Sequence, residues 1–189
     1  MTAGRIENRL NLQSSAVDAL KQLLLQPPRL TLAVAESVTC GRLQARIGAI
    51  SGASEFFLGG LTAYTLPQKV RHLGVDRAQA EPVNAVSPEV AEQMARGACA
   101  FFGSDLALAT TGYAEPVPAR GVTQPHSFWA LAHRRTDNTV VVHQARVDCP
   151  GSTRVEAQET VVDAACAALL GYLRQLRANK GATAPPSKP

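Results

Sequence analysis

Successive apolar residues mark two segments of this chain as strands buried on both faces, Leu30 to Ala35 and Asp105 to Thr111. Strands of that kind belong at the centre of an α/β sheet. Gly60 to Tyr64 fits a further strand, and Phe128 to Ala132 with Thr139 to Val147 predicts an antiparallel pair around Arg134 to Asn138. Helical spacing fills the intervals. Ser15 and Asp18 form a capping-box pattern before Val17, Leu20 and Leu24, and Pro27-Pro28 stop that helix. A short helix fits about Pro67 to Leu73. Ser87-Pro88-Glu89 opens another, with Val90, Met94, Ala98 and Phe101 as its buried stripe and Gly103 at its end. Thr153 and Glu156 form a second capping box, and Val155, Val162, Cys166, Leu169, Leu173 and Leu176 line the helix that follows. The order of elements predicts an α/β fold: a three-layer α/β/α domain with a mixed, mostly parallel sheet. It spans residues 15–177, after a loose N-terminus (1–14) and before a disordered tail (178–189).

The 189 residues are 46% hydrophobic, enough for one substantial core. Charged residues interrupt every apolar run, so no membrane span is expected, and the N-terminus lacks a secretory pattern. Four cysteines (Cys40, Cys99, Cys149, Cys166) show no C-x-x-C pair, which suits reduced thiols and a cytoplasmic setting. The net charge is +4, but Arg174, Arg177, Lys180 and Lys188 follow Leu173 with no acid among them. The fifteen basic residues before them match the fifteen acidic ones, so the body is formally neutral. A nucleic-acid partner would require a basic face on the domain, and none is expected. The four histidines lack metal-ligand spacing, so no metal site is expected.

Dinucleotide, Walker A, H-E-x-x-H and G-x-S-x-G motifs are all absent. Polar residues instead gather at the carboxyl ends of three predicted strands, where open α/β sheets bind ligands. The first end carries Glu36, Ser37 and Thr39 with Cys40 and Gly41; the second Tyr64, Thr65 and Lys69; the third Thr110, Thr111 and Gly112. A strand-to-helix turn leaves N–H groups free at the helix start. Ser37 and Lys69 fit a nucleophile and base, since a desolvated amine loses its charge near neutral pH. Spacing alone leaves a second interpretation open, in which Ser37 and Thr39 only cap the helix and Lys69 lies in water. Cys40 paired with His126 is a weaker nucleophile candidate, and Glu115 is either an acid/base group or an exposed loop carboxylate.

From about Leu30 to Leu173 the chain resembles the CinA C-terminal domain family, the nicotinamide-nucleotide amidohydrolases. Ala35-Glu36-Ser37-Val38-Thr39-Cys40-Gly41 sits on the family's A-E-S-C-T-G-G. Phe57 to Tyr64 matches F-L-G-G-V-V-A-Y, with Lys69 at the lysine of A-Y-S-N-x-x-K. Ala85-Val86-Ser87 is similar to G-A-V-S, and Thr111 to Pro116 overlays T-G-I-A-G-P. The resemblance implies hydrolysis of the carboxamide of nicotinamide mononucleotide, or of a related amide, to acid and ammonia, with no organic cofactor. It implies Ser37 and Lys69 as catalytic residues, and Glu36, Thr39, Cys40, Gly41, Tyr64, Thr111, Gly112 and Tyr113 around a small-molecule substrate of the pyridine-nucleotide class. A homo-oligomer is implied as well.

The departures share a direction. Val38 replaces the motif's cysteine, and Cys40 the first glycine of its G-G pair; Tyr113 and Glu115 replace isoleucine and glycine. G-T-V becomes His126-Ser127-Phe128 and G-D-R becomes Gly151-Ser152-Thr153. The arginine expected one turn into the last helix falls at Ala157, with Arg154 out of register. Side chains at Cys40 and His126 are expected to narrow the pocket, and a lost arginine with a gained Glu115 to disfavour a phosphate. The alternative function is that of a non-catalytic paralogue that binds a small ligand or a partner protein in a remodelled pocket.

Overall fold

The computed structural model describes residues 18–137 and 139–181. The proposed Ser15 cap, the N-terminal segment 1–14 and residues 182–189 lie outside the described residues. Helix α1 covers residues 18–25 and leads into β1 (Leu32–Glu36), α2 (Arg42–Gly48) and β2 (Phe57–Thr62). Next come α3 (Leu66–Leu73), the single turn α4 (Arg77–Ala80), α5 (Pro88–Phe102) and β3 (Leu106–Tyr113). The hairpin β4 (His126–Arg134) and β5 (Val140–Asp148) precedes α6 (Arg154–Gly181).

The five strands form one sheet in the order β2-β1-β3-β4-β5. β1 pairs in parallel with β2 and β3, while β4 runs antiparallel to both β3 and β5. Four of the five strands therefore point the same way, as the mixed, mostly parallel expectation requires. Every residue of β1 is buried.

The two faces of the sheet differ in the size of their side chains. Leu32, Val34, Leu106, Leu108 and Leu131 meet α1, α2 and α6 through Leu24, Leu43, Ile47, Leu169 and Leu173. The alternate positions carry Ala35, Ala107, Ala109, Ala130 and Ala132 against Val90, Met94, Ala95 and Ala98 of α5. The period of two in a strand sorts these sets to opposite faces. Alanines let α5 sit close to the sheet, whereas the leucine face builds a thicker layer.

Several boundaries differ from the sequence expectation. β2 begins three residues earlier, because Phe57 registers beside Leu32 and the strand ends before Tyr64. Phe101 is 55% exposed and Val155 52% exposed, so neither belongs to its helix's buried stripe. In α6 the buried stripe keeps Val162, Leu169 and Leu173 and adds Ala157, Val161 and Ala165. The same helix continues through Ala178 to Gly181, four residues into the segment expected to be disordered. Arg177 is not a solvated tail charge. It is buried and its guanidinium donates to the carbonyls of Leu23, at 2.8 Å and 3.0 Å, and of Pro28 at 3.0 Å. A cation there satisfies carbonyls that the end of α1 leaves unpaired. Among the described residues no helix is long and apolar enough to cross a membrane.

Candidate active site

The turn from β1 into α2 is built around Glu36. Its carboxylate is fully buried and accepts from the backbone N–H groups of Gly41 (3.0 Å), Leu43 (3.0 Å) and Gln44 (2.8 Å). It also accepts from Thr39 Oγ1 at 2.6 Å. Thr39 has spent its one proton there, so Thr110 Oγ1 donates to Thr39 Oγ1 across their 2.7 Å contact. Glu36 thus does for α2 what an N-cap does, and the first-turn N–H groups are already taken. The amides expected to be free at this helix start are occupied by the protein's own carboxylate.

Ser37 leaves this turn toward the carboxyl ends of the strands. Gln158 of α6 holds the following residue, donating from Nε2 to the Val38 carbonyl at 2.8 Å. Arg42 Nε in turn donates to Gln158 Oε1 at 2.9 Å, which fixes the orientation of that amide. Lys69 comes from the middle of α3. Its Nζ donates to Ser37 Oγ at 2.9 Å and lies 3.5 Å from the Tyr64 carbonyl oxygen. Lys69 is only 3% exposed, and among the described residues no carboxylate lies within ion-pair distance of it. Burial disfavours its charged form and pushes its pKa from 10.5 down to about 8. Gly97 sets the height of α3, because a Cβ there would lie 2.0 Å from the Leu73 carbonyl oxygen. Only a residue without a side chain lets α5 pass the end of α3 so closely.

A cleft of about 510 Å3 opens above this pair. Ser37, Tyr64, Lys69, Gly112 and Tyr113 line it, as the sequence pattern expected. Gly112 is required by its strand partner, since a Cβ would meet Ser127 Oγ at 2.2 Å. The Tyr113 hydroxyl accepts from Asn84 Nδ2 at 3.2 Å. Five expected substrate contacts do not line the cleft. Glu36 and Thr39 are buried beneath it, while Cys40 and Gly41 lie outside it. Thr111 is also buried, donating to the Ala85 carbonyl at 2.7 Å. That bond holds a loop where Asn84 and Ala85 both take left-handed backbone, at φ 53° and 57°. Such conformations cost non-glycine residues about 1 kcal/mol or more and persist when surrounding contacts over-determine them.

The two residues expected to narrow the pocket do not do so. Cys40 lies outside the cleft, and His126 packs its ring edge-on against Tyr113 and Phe128. The expected loss of an arginine is corrected as well. Arg154, out of register in sequence, lines the cleft as the first residue of α6. It donates to Glu115 Oε1 at 2.6 Å and its other terminal nitrogen lies 3.5 Å from the Tyr64 hydroxyl. Glu115 raises the Arg154 pKa, so the guanidinium stays charged. Arg120, Glu81 and Asn84 also line the wall and carry no sequence motif that singled them out. Gln158 had one usable signal, a polar residue in the buried stripe of α6. Among the described residues no group of three His, Cys, Asp or Glu side chains is placed to hold a metal ion.

A three-layer α/β domain with a buried lysine on a strand-end serine defines the class. Residues 13–173 match the CinA C-terminal domain, and the chain belongs to that family. A CinA-like protein of Picosynechococcus is 39% identical over 83% of this chain and 36% of its own length. One from Chlorobium limicola is 33% identical over 81% of this chain and 36% of its own length. The chain therefore spans about a third of the length of these curated relatives. Among solved structures, a competence or damage-inducible protein from Enterobacter asburiae superposes with a TM-score of 0.74 at 25% identity. That match covers 85% of this chain and 98% of the other. A CinA superfamily protein from Escherichia coli gives 0.67 at 29% identity, covering 85% and 88%.

Proposed function

We propose that this domain hydrolyses the carboxamide of a pyridine nucleotide, or of a related small amide, to the acid and ammonia. The observation that carries this is the 2.9 Å contact between Lys69 Nζ and Ser37 Oγ, with the lysine buried and its pKa near 8. A neutral Lys69 takes the Ser37 hydroxyl proton as Oγ bonds to the carboxamide carbon. The resulting ammonium returns that proton to the amide nitrogen as the C–N bond breaks and ammonia leaves. Water, deprotonated by Lys69, then cleaves the Ser37 ester and releases the acid. Tyr64, just after β2, and Tyr113, the last residue of β3, line the same cleft. The proposed partner is thus a small molecule.

The test is ammonia release from nicotinamide mononucleotide and from nicotinamide riboside by the purified chain, beside Lys69→Ala. Release from either amide, falling by about a thousandfold in the variant, is the expected outcome. No release from wild type at high enzyme concentration would retire the hydrolase and leave a non-catalytic binding role.

A further inference from the structure

Five charged side chains line the cleft, and their pairing decides what charge a ligand can bring. Lys69 lies against Ser37, while Arg120, Arg154, Glu81 and Glu115 stand around it. When Lys69 is neutral, as its role as a base requires, two guanidinium groups face two carboxylates and the cleft has no net charge. Arg154 already spends its charge on Glu115, 2.6 Å away, and both side chains are about half exposed, at 47% and 55%. The pair bridges the loop after β3 to the first turn of α6, beside the Tyr64 hydroxyl. A phosphate entering beside Arg154 would find that cation compensated and would meet the Glu115 carboxylate as a like charge. Such juxtapositions act on selectivity by repelling the wrong ligand.

We propose that Glu115, by holding Arg154, makes this cleft select amides without a phosphate: a hydroxyl-bearing pyridine-carboxamide nucleoside over its mononucleotide. This rests on the amide-hydrolysis proposal and names the substrate class of the same site. Removing the charge of Glu115 frees the Arg154 donors and leaves the cleft with one net positive charge, which admits the phosphate.

The experiment compares wild type with Glu115→Gln on nicotinamide riboside and nicotinamide mononucleotide, and titrates inorganic phosphate into both proteins. In wild type kcat/KM is expected to be higher for the riboside. Glu115→Gln is expected to raise the mononucleotide-to-riboside ratio of kcat/KM about tenfold and to tighten phosphate binding by a similar factor. Adding Arg154→Gln to that variant should abolish the gain. A wild type that prefers the mononucleotide, or a phosphate affinity unmoved by Glu115→Gln, overturns the proposal. If neither amide is hydrolysed the hydrolase proposal fails on its own, and the phosphate titration still decides whether Glu115 sets the charge of the cleft.

Discussion

Glu36 and Lys69 are both shut away from water, and the protein treats them in opposite ways. Glu36 is surrounded by donors: three backbone N–H groups and one hydroxyl share its two oxygens. Lys69 has one serine hydroxyl and one carbonyl at 3.5 Å, with no acid to balance it among the described residues. A buried charge whose lone pairs are all used replaces its lost hydration and becomes part of the scaffold. A buried charge given less than it lost is easily neutralised, and so can exchange a proton at ordinary pH. The difference separates the residue that builds the site from the residue proposed to work in it.

Replacing Lys69 by methionine should sharpen that contrast most. Amide hydrolysis should fall about a thousandfold, while the protein becomes more stable by about 3 kcal/mol near pH 7. The native amine titrates near 8 and the unfolded one near 10.5. Below 8 both states hold the proton, and the native state bears the full cost of a buried charge. Between 8 and 10.5 the unfolded chain binds a proton that the native chain does not, so wild-type stability climbs with pH. Urea unfolding across pH 6–11 should show the methionine variant's advantage shrinking through that window, and wild-type activity should rise toward a plateau above pH 8. A variant no more stable than wild type at pH 7 would break the comparison.

Glu36→Gln tests the other half. It leaves an amide where a carboxylate met four donors, at an expected cost of about 3 kcal/mol. Thermal melting should fall by about 10 °C. A change within the error of the melt would mean that Glu36 is no scaffold charge. Arg46→Gln is the outer control. Its bridges to Glu159 and Asp163, both at 2.9 Å, are partly exposed. They should be worth about 1 kcal/mol or less, visible in the same melt as a shift of a few degrees at most.

The layers of the fold were legible because runs of successive apolar residues, Leu30 to Ala35 and Asp105 to Thr111, are a local signal of buried strands. The second capping box was legible for the same reason, with Thr153 and Glu156 exchanging bonds at 2.7 Å and 3.4 Å. At the site, Ser37 and Lys69 were recoverable from strand ends and motif spacing. For Glu36, sequence puts a carboxylate beside the helix start but does not say whether it faces the ligand or folds back onto the amides. For Arg154, register along one helix does not give position in space. Its long side chain reaches the cleft from the helix's first residue, and Glu115, thirty-nine positions earlier, aims it. Interactions across such separations leave no periodicity to find.

Arg177 has a consequence for the order in which the molecule is made. Its contact with the Leu23 carbonyl joins residues 154 positions apart. As the chain grows from its N-terminus, the sheet strands and α5 are all synthesised before residue 177 leaves the ribosome. The carboxyl end of α1 therefore waits for a residue made 154 positions later, and that corner of the domain closes only after every strand of its sheet has been made.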